Sequence, residues 1–155
     1  DARWTKKNGK SFFGYKNHIS VDVKHKLIRK FHVTSAEVHD SQVVEELLDD
    51  NNTNRELWAD SAYRSRERLA WLREHGYRER LQRKGTRNHP LSAWEQQGNR
   101  TRSRIRSRIE HVFGVQSQRA GNLLLRGVGL ARAVARIGLR NLAYNLDRYG
   151  TLALA

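Results

Sequence analysis

With 155 residues, 30 lysines and arginines against 16 acids, the chain carries a formal net charge of +14. A surplus of that size calls for a polyanionic partner, nucleic acid before membrane, because each neutralised phosphate releases counterions. Cysteine is absent, which excludes disulfides and thiolate metal sites, and no apolar run approaches the roughly 18 residues of a bilayer span. The length suits one domain with its own core. Methionine is absent, position 1 included, so the natural product is expected to begin upstream.

Asp1 to Ser11 is polar, with Lys6, Lys7 and Lys10 around Asn8-Gly9, and reads as a mobile basic lead-in. Phe12 to Val23 alternates, Tyr15, Asn17, Ile19, Val21 and Val23 against Lys16, His18, Ser20 and Asp22. A second alternating run, Leu27, Arg29, Phe31 and Val33, follows the Lys24-His25-Lys26 link, and the two predict an antiparallel hairpin. Asp40 is placed to cap a helix bearing Val43, Val44, Leu47 and Leu48. Glu56 to Ala59 is a short apolar run that stops at Asp60, the pattern of an interior strand delivering an aspartate at its carboxyl end. Ser65 caps a helix over residues 66–75, with Leu69 and Leu72 inward and Gly76 as its stop. Tyr77 to Leu81 reads as a strand, and the polar residues 83–99, with the only proline, Pro90, as a loop.

Arg100, Arg102, Arg104, Arg106 and Arg108 then occupy every second position. The alternation suggests a strand, but Ile105, Ile109, Val112 and Phe113 fall at i, i+4, i+7 and i+8, which is a helix stripe. On that helix Ser103, Arg106, Glu110 and Ser117 share another face. Gly121, Gly127 and Gly129 punctuate a linker before a last helix, roughly residues 130–149, with Val134, Ile137, Leu142 and Leu146 as its apolar stripe. Strands interleaved with helices imply an α/β fold, a mixed sheet with helices on its faces. Ligand chemistry in such sheets sits at carboxyl ends of strands, where Asp60 lies.

Taken singly, these residues admit plain roles. Asp60 could be a turn former or helix cap. Glu110 could be the i, i+4 partner of Arg106, worth about 0.3–0.5 kcal/mol. His18, His32, His39 and His111 lack metal-ligand spacing and read as structural or DNA-contacting. Trp4, Trp58, Trp71 and Trp94 could stack on bases, although Trp58 and Trp71 fall on elements expected to be buried. The even-numbered arginines form either a DNA-contacting or a solvated face, and the net charge favours DNA.

The motifs Trp58-Ala-Asp-Ser-Ala-Tyr63 and Arg106-Ser-Arg-Ile-Glu-His-Val-Phe-Gly114 resemble those of bacterial insertion-sequence transposases of the DDE type, close to the insertion-sequence-five group. Gly14-Tyr-Lys-Asn-His18, Val38-His-Asp-Ser41 and Ile137-Gly-Leu-Arg-Asn-Leu-Ala-Tyr-Asn-Leu146 resemble further family segments in the same order. The resemblance covers essentially the whole chain. It implies an RNase H-like mixed sheet with helices on both faces, and cutting and joining of double-stranded DNA at element ends and target. It also implies a possible homodimer in a synaptic complex, a cytoplasmic, nucleoid-associated setting and Mg²⁺ (or Mn²⁺) held by three carboxylates.

By that resemblance Asp60 matches the second acid and Glu110 the third, both catalytic and metal-binding, and Arg106 matches the arginine four residues before the glutamate. Arg106, Lys16, Arg102, Arg108 and Arg119 are the expected DNA contacts. Ser103 stands where the family has tyrosine and Ser117 where it has lysine. Arg119 is the nearest substitute for that lysine, although on an ideal helix it points elsewhere. The first acid has no counterpart: Asp1 precedes the Gly-Tyr-Lys segment without a strand around it, and Asp22 and Asp40 match non-catalytic positions. The expectation is therefore a partial catalytic domain over residues 1–155 that lacks its first strand, first aspartate and any upstream DNA-end-recognition domain. Alternatives are a catalytically dead DNA-binding remnant and a basic RNA-binding protein.

Overall fold

A computed structural model of the protein describes residues 1–7, 9–121 and 125–154. The chain divides into two compact units, Asp1–Leu48 with Ile109–Ala155, and Asp49–Arg108.

The first unit is built on an antiparallel meander of β1 (Arg3–Lys7), β2 (Lys10–Val21) and β3 (Ile28–Ser35). The residues expected as a mobile lead-in are thus a strand, paired from Arg3↔Gly14 to Lys7↔Lys10. The sequence signal was the Asn-Gly pair, and Gly9 has a positive φ of 75°, as tight hairpin turns require. The expected antiparallel β2–β3 hairpin is present, with Asn17 opposite Val33 and Ile19 opposite Phe31. Asp22 organises its turn, its carboxylate accepting from the backbone N–H groups of Lys24 and His25 at 3.2 and 2.8 Å.

One face of this sheet meets residues 109–120 of the helix α3 (Ala93–Ala120) and the helix α4 (Leu130–Ala153). Ile19, Ile28, Val112 and Tyr144 form one buried cluster, and Val33, Ala133 and Ile137 another. The other face holds buried His18 and Thr34, Nε2 of His18 lying 2.8 Å from Oγ1 of Thr34. On that side a 3₁₀ turn (Asp40–Val43) leads into α1 (Val44–Leu47). Asp40 was expected to cap this helix. The cap is His39, whose Nδ1 accepts from the Ser41 N–H, and Asp40 instead pairs with Lys16 at 3.3 Å. A carboxylate beside an ammonium gains more from the charge than from a neutral N–H.

The apolar stripe expected on α4 also needs correction. Ile137 is buried, but its companions are Ala133, Asn141 and Tyr144, while Leu142 and Leu146 are 53% and 64% exposed and Val134 is exposed too. Asn141 is admitted to the core because its amide is matched. Its Oδ1 accepts from Nδ2 of Asn17 and Nε2 of Gln116, both at 3.0 Å, and its Nδ2 donates to Oδ1 of Asn17 at 3.2 Å. A buried amide without such partners would be strongly unfavourable. The glycine-punctuated linker falls partly outside the described residues.

The second unit is a strand–helix–strand unit: β4 (Glu56–Ala59), a 3₁₀ turn (Ser61–Tyr63), α2 (Arg66–Glu74) and β5 (Arg78–Leu81). The strands pair in parallel from Glu56↔Arg78 to Ala59↔Leu81. Ser65 caps α2 by accepting from the Arg68 N–H, and Gly76 stops it at φ 72°. Leu72 and Leu81 are fully buried. The polar loop expected over residues 83–99 ends earlier, because α3 begins at Ala93. Ser92 and Glu95 form a capping box there: the Ser92 N–H donates to Glu95 at 3.0 Å and the Glu95 N–H to the Ser92 hydroxyl at 3.3 Å.

The described residues are therefore mixed α/β with four α-helices. Its strands form a three-stranded antiparallel sheet and a parallel pair where one mixed sheet was expected. The physical reason is that both pairings close locally, one through hairpin turns and the other through the α2 crossover, and no described strand bonds to both. No helix among the described residues is long and apolar enough to cross a membrane.

Candidate active site

Asp60 follows directly on β4 and caps the 3₁₀ turn behind it. Its Oδ1 accepts from the Ala62 N–H at 2.8 Å and the Ser61 hydroxyl at 3.2 Å. The next strand brings a second side chain level with it. The Gln82 N–H donates to the Ala59 carbonyl at 3.1 Å, extending the parallel ladder by one step. Asp60 and Gln82 therefore stand side by side past the carboxyl ends of two neighbouring strands, where ligands collect in α/β sheets.

The third component comes from α3. The Arg106 guanidinium donates from Nη1 to Oε1 of Gln82 at 2.7 Å and from Nη2 to Oδ2 of Asp60 at 3.4 Å. Gln82 in turn donates from Nε2 to the Ser103 hydroxyl at 2.6 Å. The helix is held beside β5 by a two-point amide clamp, Arg83 N–H to Asn99 at 2.9 Å and Asn99 Nδ2 to the Arg83 carbonyl at 2.8 Å. An Arg83–Glu95 ion pair at 2.8 Å adds to it. The Ala62 N–H holds the Asp60 carboxyl below its ordinary pKa, with Arg106 assisting, and these outweigh the opposing effect of burial. Asp60 is thus an ionised, half-exposed carboxylate beside a planar cation, with which it forms an ion pair at 3.4 Å.

Of the sequence-derived residues, Asp60, Ser103 and Arg106 are brought together, and Gln82 was missed. No local motif marks it; its place depends on the register of two strands far apart in the chain. Glu110, in the other unit, is exposed and lies four residues after Arg106 on the same helix. The remaining basic residues are variously engaged. Lys16 donates to the Val38 carbonyl at 2.7 Å besides pairing with Asp40. Arg102 reaches Asn99 at 3.4 Å, Arg108 is partly exposed, and Arg119 pairs with Asp147.

Whether these groups suit a divalent metal can be judged from the donors. Asp60 offers a hard, ionised oxygen, the kind Mg²⁺ selects, and Mg²⁺ takes few protein carboxylates. In kind the donor fits; in number, no cluster of three acidic or histidine ligands occurs among the described residues.

The model of the transposase DDE domain matches residues 1–146, and the chain belongs to that family. It is 32% identical over 146 residues to the transposase for insertion sequence element IS1106 of Neisseria meningitidis serogroup B, a match covering 94% of this chain and 50% of that protein. The chain thus spans about half the length of this relative. No solved structure matches.

Proposed function

We propose that residues 1–155 are part of the catalytic domain of a DNA transposase with an RNase H-like fold, which cuts the ends of a mobile element and joins them to target DNA. The observation that carries this is the ionised Asp60 at the end of β4, fixed beside Arg106 and Gln82, in a chain of family-wide resemblance and +14 charge. The relative's printed role as a transposase supports the same reading.

In this proposal Asp60 and Glu110 are the two acids of this chain that hold Mg²⁺ or Mn²⁺. The bound metal would neutralise charge on the phosphodiester and activate the attacking oxygen. Phosphoryl transfer otherwise asks mainly for positioning. Arg106 supplies it: one nitrogen of its guanidinium holds Asp60, and its remaining N–H groups can turn to a phosphate oxygen. Arg102, Arg108 and Arg119 are proposed to contact phosphates along the duplex, and Lys16 would join them on releasing Asp40.

A second reading is a remnant that binds DNA without cutting it. One experiment separates them. Salt-sensitive duplex binding with magnesium-dependent nicking of supercoiled plasmid, the nicking lost in Asp60→Ala and Glu110→Ala, supports the transposase. Binding without nicking supports the remnant, and no binding defeats both.

A further inference from the structure

The distal half of the β1–β2 hairpin carries side chains that the core does not use. Trp4 and Phe13 are cross-strand partners, their rings 5.2 Å apart and tilted by 50°, and they are 66% and 61% exposed. Phe12, one residue earlier and so on the opposite face of the ribbon, is exposed as well. The same ribbon presents Arg3, Lys6 and Lys10.

A groove of about 670 Å³ borders this ribbon within the first unit, with Phe12, Phe13, Phe113, Gln116, Arg126 and Arg140 among its walls. Arg126 is exposed, and Nε of Arg140 is buried without a hydrogen-bond partner among the described residues. Asp1 is the acid on this lining, and its carboxylate accepts from the Leu130 N–H at 3.2 Å. Phe113 and Ser117 lie three and seven residues beyond Glu110 on α3. Ser117 forms part of the groove wall.

We infer that this aromatic ribbon and its groove bind an unpaired stretch of DNA, bases stacking on Phe13 and Trp4 while Arg126 and Arg140 meet the phosphates. The inference rests on the DNA reading above and adds to it a strand-separated substrate region next to Glu110. Flat rings set among cations are how single strands are held, because every base offers a π-face and every nucleotide a charge. Duplex DNA keeps its bases stacked on one another and leaves such rings little to contact. An acidic protein would satisfy the arginines but has no general use for open rings.

The test measures binding of residues 1–155 to a short labelled oligothymidylate and to a duplex of equal length at one salt concentration. Phe13→Ala is expected to weaken the single strand about 10-fold, the loss of one stacked base, and the duplex less than about twofold. Phe13→Leu, which keeps apolar bulk against Trp4 without a ring, should behave like Phe13→Ala and guards against a folding artefact. Equal losses on both substrates, or wild-type binding by Phe13→Leu, would overturn the inference. Duplex binding with no affinity for the single strand overturns it and leaves the DNA reading standing; failure to bind either defeats both. Sedimentation at the assay concentration covers the remaining occupant: a wild-type dimer dissociated by Phe13→Ala would assign the ribbon to a second copy instead.

Discussion

Replacing Asp60 by asparagine and by alanine separates what this residue does for the fold from what it does for chemistry. Its Oδ1 caps the turn through Ala62, and its Oδ2 meets Arg106. Asparagine keeps an oxygen for Ala62 and loses only the charge. The pair at 3.4 Å has side chains 26% and 42% exposed, so solvent screening limits it to about 0–1 kcal/mol. Alanine removes the cap as well, roughly a further 1 kcal/mol. Urea denaturation resolves the two variants as a shift in midpoint.

The acid limb gives an independent check. The folded carboxyl lies below its ordinary 3.8, chiefly through the Ala62 N–H, so its contribution is present above 3.8 and lost as pH falls through the folded value. Asp60→Asn should therefore flatten the wild type's loss of stability below pH 3.8. Metal-dependent nicking, by contrast, should vanish in both variants. Should asparagine destabilise as much as alanine, the cap geometry is wrong. Should it retain nicking, Asp60 is not a metal ligand.

The other expectations are briefer. Asn141→Leu strands the amides of Asn17 and Gln116 in the core, which should destabilise the protein by roughly 3 kcal/mol or more at about 1–3 per orphaned group; a loss under about 1 in a urea melt would mean the cluster is not closed. Tyr144→Phe removes the hydroxyl that donates to the Lys26 carbonyl at 2.9 Å, and calorimetry should find about 1 kcal/mol lost. Ser92→Ala should speed amide exchange in the first turn of α3, and unchanged exchange would show that the Arg83–Asn99 clamp alone holds that end. Burial lowers the pKa of His18 against the opposing pull of Asp40. The unfolded chain then takes up that proton first, so stability is intact above pH 6.5 and falls as pH drops toward the folded value. His18→Gln should reduce this slope, and an unchanged slope would place the titration elsewhere.

The elements that could be read in the sequence were those whose signals are local. The β2–β3 hairpin follows from alternation, α2 from Ser65 and Gly76, and Asp60 from the abrupt end of an apolar run. β1 was obscured by its lysines, although charge is no bar to an edge strand and the Asn-Gly pair pointed to a turn. The early start of α3 was signalled by Ser92 and Glu95 but masked by the polarity around Pro90. On α4 the buried and exposed faces share one helical period, so periodicity does not choose between them. Tertiary pairing of Asn141 with Asn17 and Gln116 decided it, and hydrophobicity alone favoured Leu142 and Leu146. Gln82 was hidden for a related reason: it matters only because the β4–β5 register sets it beside Asp60, with Arg106 arriving from 46 residues away.

The polar cluster of Asn17, Gln116 and Asn141 has a bearing on how such a cationic molecule lets go of what it holds. Carboxamides neither titrate nor draw mobile ions, so the strength of this interior fastening is indifferent to brine. A rise in electrolyte that frees a polyphosphate chain from the arginines outside would leave the scaffold standing, ready to engage again once the medium is diluted.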